Sequence, residues 1–306
     1  MIREISSNLT RFHRIVYDIN DETAKASAAG QDSGMECDRI EVTIGGVQTR
    51  IGTRVREGRR PALLLLHGFG ATKEDYADLA HHPRFRNRMI VTYDAPGHGD
   101  SECTDFSALS IAFLRAVAER VIKHFRLSRF HLAGHSMGGL TALMLGQKSP
   151  DALLSFTNIE GNLTREDCFL SRQIHTYPHE NAGEFFNAFI HRVWHSPGWS
   201  HALYARGLRG KVHADAIAPL FRSIVELSDN GALLERFVEL SCPRMFVYGR
   251  ENRHLSYLGA LQRHGIRLAE IPYSGHFPMY SNPQALWSCI GEFLDRVEGE
   301  RRHDRR

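Results

Sequence analysis

The feature that most restricts the fold of this chain is a series of short apolar runs that do not alternate with polar residues. Ala62-Leu63-Leu64-Leu65-Leu66, Met89-Ile90-Val91, Phe130-His131-Leu132-Ala133 and Leu153 to Ile159 are of this kind. A strand with one wet face alternates, whereas a strand covered on both faces does not, so these runs belong in a parallel sheet. Between them, Leu109, Phe113, Val117, Val121 and Phe125 recur at steps of four, with Leu114, Ala118 and Ile122 beside them. That stripe is a helix face packed on the sheet. Strand alternating with helix, joined by right-handed crossovers, predicts an α/β fold with a mostly parallel, doubly wound sheet. Residues 243–249 and 267–272 resume the strand pattern, and Leu286, Ile290, Phe293, Leu294 and Val297 mark a closing helix. At the other end, Ile40, Val42 and Ile44 alternate with polar neighbours before Gly45-Gly46 and a second run, Val47 to Val55. This predicts an antiparallel hairpin at the sheet edge.

The length, 306 residues, is near two ordinary domains but fits one large α/β domain carrying an insertion. From about Asn162 to Leu240 there is no strand pattern. Helical stripes take its place, such as Phe185, Phe186, Phe189 and Val193, then Ile217, Phe221, Ile224 and Val225. The expected organisation is an N-terminal extension and flexible connector (1–38), an α/β core (39–161 and 241–297), an inserted helical cap (162–240) and a charged tail (298–306). The tail reads as a solvated charge run.

Hydrophobic residues at 42% and charged residues at 24% are ordinary globular proportions. A net charge of +3, with charges clustering only at the C-terminal end, gives no nucleic-acid footprint. The five cysteines are scattered without metal-ligand spacing, and His81-His82 stands without acidic or thiol companions, so no metal is expected. Nor is any other cofactor. The opening residues do not read as a secretory leader, and the longest apolar run, Ala62 to Leu66, falls far short of the roughly 20 residues a membrane span needs. A cytoplasmic protein is expected, with free thiols and a small-molecule partner; a homodimer is left open.

The chemistry concentrates at Gly134-His135-Ser136-Met137-Gly138, a GxSxG motif. It falls where a strand ends and a helix using Leu140, Leu143 and Met144 begins. A sharp turn of this kind needs small residues if a strained serine is to project freely, and the helix N-terminus favours developing negative charge. The plain alternative is an ordinary glycine-rich turn, which does not call for a serine between two such elements.

With these residues the chain resembles the α/β hydrolases, from Arg39 to about Val297. His67-Gly68-Phe69-Gly70 is similar to the family's oxyanion loop, which implies that the backbone N–H groups of Phe69 and Met137 bind a tetrahedral oxyanion. Asp94 to Ser101 resembles a turn that the family uses structurally. Ser274-Gly275-His276 follows the last strand, where the resemblance puts the base for Ser136. His67, His98 and His135 are then packing or hydrogen-bonding residues. The family's acid commonly stands in G-x-x-D, and here the segment reads Gly249-Arg250-Glu251-Asn252. An asparagine is no carboxylate, so Glu160, closing the strand before the cap, is the favoured acid, with Glu251 and Asn252 as alternatives. Phe186, Phe189, Trp194 and Trp199 are first of all core for the cap, and the reading assigns some of them to an apolar substrate pocket. Arg165, Arg172 and His175 could meet a polar head group, with solvated surface as their simpler reading.

The resemblance implies a serine hydrolase that cleaves a carboxylic ester, thioester or lactone through an acyl-enzyme. A C–C bond hydrolase, a cofactor-free perhydrolase, or a ligand-binding receptor with little turnover are the alternatives. Dehalogenases and epoxide hydrolases of this fold require an aspartate nucleophile, and residue 136 is serine.

Overall fold

A computed structural model describes residues 34–177, 181–197 and 199–303. Its centre is a nine-stranded sheet in the order β1-β2-β4-β3-β6-β7-β8-β9, with β5 pairing beside β2. The hairpin of β1 (Glu36–Ile44) and β2 (Val47–Arg56) is antiparallel, and Gly45 and Gly46 turn it at φ 56° and 86°. β1 thus begins three residues before Arg39, where the sequence pattern starts. β3 (Arg60–Leu66), β4 (Arg88–Tyr93), β6 (Phe130–His135), β7 (Leu153–Ile159), β8 (Arg244–Gly249) and β9 (Arg267–Ile271) pair in parallel. β5 is the two-residue strand Glu102–Cys103. Every residue of β6 and β7 is buried, which is why those runs carry no polar alternation.

Helices cover both faces. α1 (Ile111–His124) starts at Ser110, whose side chain accepts from Phe113 N, and it buries Ile111, Leu114, Val117, Ala118 and Val121. α2 (Met137–Lys148) follows β6 directly. Between β7 and β8 the described chain is helical: α3 (Gln173–Thr176), α4 (Ala182–Trp194), α5 (Trp199–Lys211), α6 (Ala214–Asn230) and α7 (Leu233–Glu239). This block lies on the loops beyond the carboxyl ends of β3 and β4. Tyr204 of α5 donates to Phe69 O at 2.9 Å, and Ala216 of α6 fills the space beside Gly97. α8 (Leu258–Arg263), α9 (Pro278–Ser281) and α10 (Pro283–His303) complete the chain.

The C-terminal charge run departs from the solvated tail expected of it. α10 continues to His303, and Glu298 turns inward to the fully buried Arg88 (2.6 Å), Arg60 (3.0 Å) and His131 (3.2 Å). Burial alone would raise the Glu298 pKa, but hydrogen bonding from His131 and the charge of Arg88 outweigh it and hold the carboxyl at about 2. The charged end of α10 is therefore a lock on the sheet, because Arg88 must be neutralised where it is buried. Among the described residues no helix is long and apolar enough to cross a membrane.

Candidate active site

The strand order reverses direction around β3 and β6, and in open α/β sheets that reversal opens a crevice at the carboxyl ends of the strands. Ser136 stands at this point between β6 and α2, with φ 50° and ψ −119°. A non-glycine residue holds such a backbone only when its surroundings impose it. They do so here through close packing. A Cβ on Gly138 would lie 2.2 Å from Leu66 O, and one on Gly134 would lie 2.4 Å from Gly138 O. Ser136 N donates to Ile159 O and its carbonyl accepts from Leu140 N, both at 3.0 Å. Met137 is the first helical residue, so its N–H has no acceptor inside the helix and is available to a ligand.

Three histidines around the serine hold loops. His67 Nε2 accepts from Ala95 N at 2.8 Å, which leaves the proton on Nδ1, 2.8 Å from Gly68 O. His135 donates from Nε2 to the carbonyl of His276 at 2.8 Å. Burial lowers the pKa of His67, lowers that of His135 well below its ordinary value with the neighbouring His276 adding to the effect, and lowers that of His98 to about 3. All three are therefore neutral. The Asp94 turn is likewise structural: its carboxylate takes hydrogen bonds from Lys73 N, Lys73 Nζ and Asp100 N.

His276 follows β9, and its Nδ1 lies 2.9 Å from Glu160 Oε2. Glu160 closes β7 at φ 48°, with its N–H donating to Val247 O at 3.0 Å. Its Oε1 accepts from Gly249 N and its Oε2 also accepts from Asn252 Nδ2, each at 2.7 Å. A carboxylate partner fixes the proton on His276 Nδ1 and leaves Nε2 as the basic nitrogen. Asn252 therefore holds the Glu160 carboxylate that meets His276. Glu251 turns elsewhere, with its carboxylate beside Gly275. Both Glu160 and His276 are 6% exposed, so their interaction is little weakened by water.

Ser136, His276, Phe69 and Met137 line one narrow cavity together with Phe169, Leu170, Phe221, Ile224 and Phe277. Of the four aromatic residues expected at a pocket, those described lie outside this lining. Phe186 and Phe189 are buried but absent from this lining; they pack the helical block, Phe189 against Phe185 and Phe221. Trp194 is 48% exposed and outside the cavity, because it sits on the face of α4 opposite the buried stripe. Trp199 opens α5, and its side chain lies outside the described ones. The residues that replace them come from the 3₁₀ turn after β7 and from α6. Phe169 is the most telling, its ring edge-on to His276 at 4.8 Å although half exposed. The sequence stripe marked Phe221 as helix core without showing that it also faces the serine.

Asp167 reaches the same cavity and sequence reasoning passed over it. Its Oδ2 accepts from Leu163 N and Thr164 N, and its Oδ1 from Tyr257 OH, all at 2.8 Å. Burial raises its pKa to about 6. Arg172 forks onto Asp229 at 2.6 and 3.0 Å, and Arg165 is exposed nearby.

The fold is that of an α/β hydrolase, and Ser136 stands on its strained strand-to-helix turn. The sequence model of the alpha/beta hydrolase family matches residues 63–288, and the chain belongs to that family. A protein of Mycoplasma genitalium designated esterase/lipase 2 is 30% identical over 254 residues, covering 79% of this chain and 92% of that one. A dihydrolipoyllysine-residue acetyltransferase component of the acetoin cleaving system of Pseudomonas putida is 33% identical over 142 residues, and that match spans only 36% of the longer protein. Among solved structures, a carboxylesterase of Nitrososphaera gargenis superposes with a TM-score of 0.69 at 15% identity over 86% of this chain and 100% of that one. An N-acyl homoserine lactonase does so at 0.66 and 17%, over 86% and 98%. At such identities the likeness speaks for the fold.

Proposed function

We propose that the protein hydrolyses a carboxylic ester or lactone through an acyl-enzyme on Ser136. The observation that carries this is the 2.9 Å contact between His276 and Glu160 beside a serine in the same cavity. His276 Nε2 takes the hydroxyl proton of Ser136 as the oxygen attacks the acyl carbon. The oxyanion is held by the N–H groups of Phe69 and Met137. The proton then passes to the departing alkoxide, and water repeats the sequence to release the acid. Glu160 stabilises the imidazolium, and Asn252 and Gly249 keep the carboxylate in place. The esterase, lipase and lactonase names among the relatives fit this reading, and a thioester is open to the same chemistry.

In this reading residues 162–240 act as a cap on a core of 39–161 and 241–297. Five free cysteines favour a reducing compartment, the cytoplasm. The test is labelling with a fluorophosphonate followed by an acyl-chain-length panel. Label on Ser136 with ester turnover is the expected result; absence of both removes the proposal.

A further inference from the structure

Sharing Phe169 and Leu170 with the cavity of Ser136 is a larger one of about 620 Å³, walled by the 3₁₀ turn after β7 and by α3 and α4. Resting on the hydrolase reading above, we propose that it receives the distal end of the substrate and that this end carries a carboxylate, bound by Arg192.

Arg192 projects from α4 into the cavity wall. Its guanidinium lies 4.1 Å over the ring of Tyr177, and its Nε donates to Gln173 Oε1 at 2.7 Å. Its Nη2 is buried and has no hydrogen-bond partner, and no carboxylate pairs with Arg192 among the described residues. Native proteins rarely leave a buried charged donor unmet, because the desolvation is uncompensated. The aromatic face and the amide hold the group in one orientation with the buried Nη2 donor still unmet, an arrangement that a bound anionic oxygen would complete.

Of the other arginines of this wall, Arg172 is paired with Asp229 at 2.6 Å, and Arg165 is 78% exposed with its Nε 4.0 Å from the same carboxylate. The acid of the wall, Glu166, is turned to the hydroxyl and N–H of Ser256. One unmet guanidinium edge matches a monoanion. A dianionic phosphate would call for a second cation held against the cavity, and of the two candidates Arg172 is paired with Asp229 while Arg165 stands out in solvent. Phe169 and Leu170 line both cavities, so a substrate that reaches from Ser136 to Arg192 would lay an apolar stretch along them. The substrate class is therefore an ester whose far end is a free carboxylate.

The test compares monoethyl esters of diacids with five to eight carbons against ω-carboxamide and ω-phosphate analogues of equal length. The expected result is kcat/KM at least about tenfold higher for the acid than for the amide at one chain length, as a charged hydrogen bond supplies. Arg192→Gln should collapse that ratio whatever it does to the amide ester, Arg192→Lys should retain part of it, and Arg296→Gln, an equal change of net charge at a distant surface pair, should retain all of it. Calorimetric titration of the Ser136→Ala protein with monoethyl adipate reads the same site without turnover, and its affinity should fall in the Ser136→Ala/Arg192→Gln double variant. Equal turnover of acid and amide, a preference for the phosphate, or adipate affinity independent of Arg192 overturns the subsite alone. Adipate binding that depends on Arg192, without hydrolysis or fluorophosphonate labelling, overturns the hydrolase reading and leaves the subsite standing.

Discussion

The contacts of Asn252 decide what its exchange for aspartate should do. It donates to the same Glu160 oxygen that meets His276, so Asn252→Asp sets a second carboxylate about where a donor stood. Two carboxylates this close share a proton, and the pair becomes harder to ionise. In the wild-type background Asn252→Asp should therefore lower kcat/KM at neutral pH and move the acid limb of its pH profile upward. An unmoved limb would show that Asn252 does not brace Glu160. Glu160→Gln should cost roughly three powers of ten in kcat, as expected when an imidazolium loses its counter-charge. Glu251→Gln should cost far less, since its carboxylate faces Gly275. Comparable losses in the two variants would reverse the assignment. Ser136→Ala and His276→Ala should each remove roughly three powers of ten or more, with circular dichroism unchanged.

At the level of elements, what could be read in the sequence was what local chemistry dictates. The buried runs at Ala62 to Leu66 and Leu153 to Ile159 have no reading except central strands, and the glycines about Ser136 have no reading except a tight turn. The pairing of Glu160 with His276 joins positions 116 residues apart, and it was the resemblance to the α/β hydrolases, together with chain order and strand ends, that brought it forward. The pocket was not legible in the same way. A stripe such as Phe185, Phe186 and Phe189 fixes which face of α4 is buried, but not whether a cavity or another helix lies against it. Glu298 failed for a related reason, because a charge run looks solvated until a buried partner such as Arg88 is known. Glu298→Gln should therefore destabilise the fold by about 3 kcal/mol, the cost of stripping the partner from a buried charge, where a solvated position would show almost none. Urea denaturation of the purified variant decides between these.

For the whole molecule, the many buried histidines make stability a function of pH in a definite direction. His67, His98, His131 and His135 all have pKa values lowered by burial, that of His98 to about 3. In the unfolded chain each titrates near its ordinary value of about 6.5. Below that pH the unfolded chain binds protons that the native protein refuses, so stability is complete above about pH 6.5 and falls as acid is added. One such histidine, neutral throughout in the fold, accounts for about 2 kcal/mol between pH 6.5 and 5. Asp167 works the other way. Its raised pKa of about 6 lets the native state take up a proton that an unfolded aspartate refuses until about pH 3.9, which adds stability across that window. Burial also lowers the pKa values of His82 and His201 and raises that of Asp78, so six groups against two leave a net loss. The urea midpoint should therefore drop between pH 7.5 and pH 5.0, with protons taken up on unfolding, well before the carboxylates of the surface begin to titrate. A midpoint that stayed level across this range would mean that the histidines holding the loops around Ser136 are charged in the native protein, and the neutral tautomers assigned to His67 and His135 would have to be abandoned.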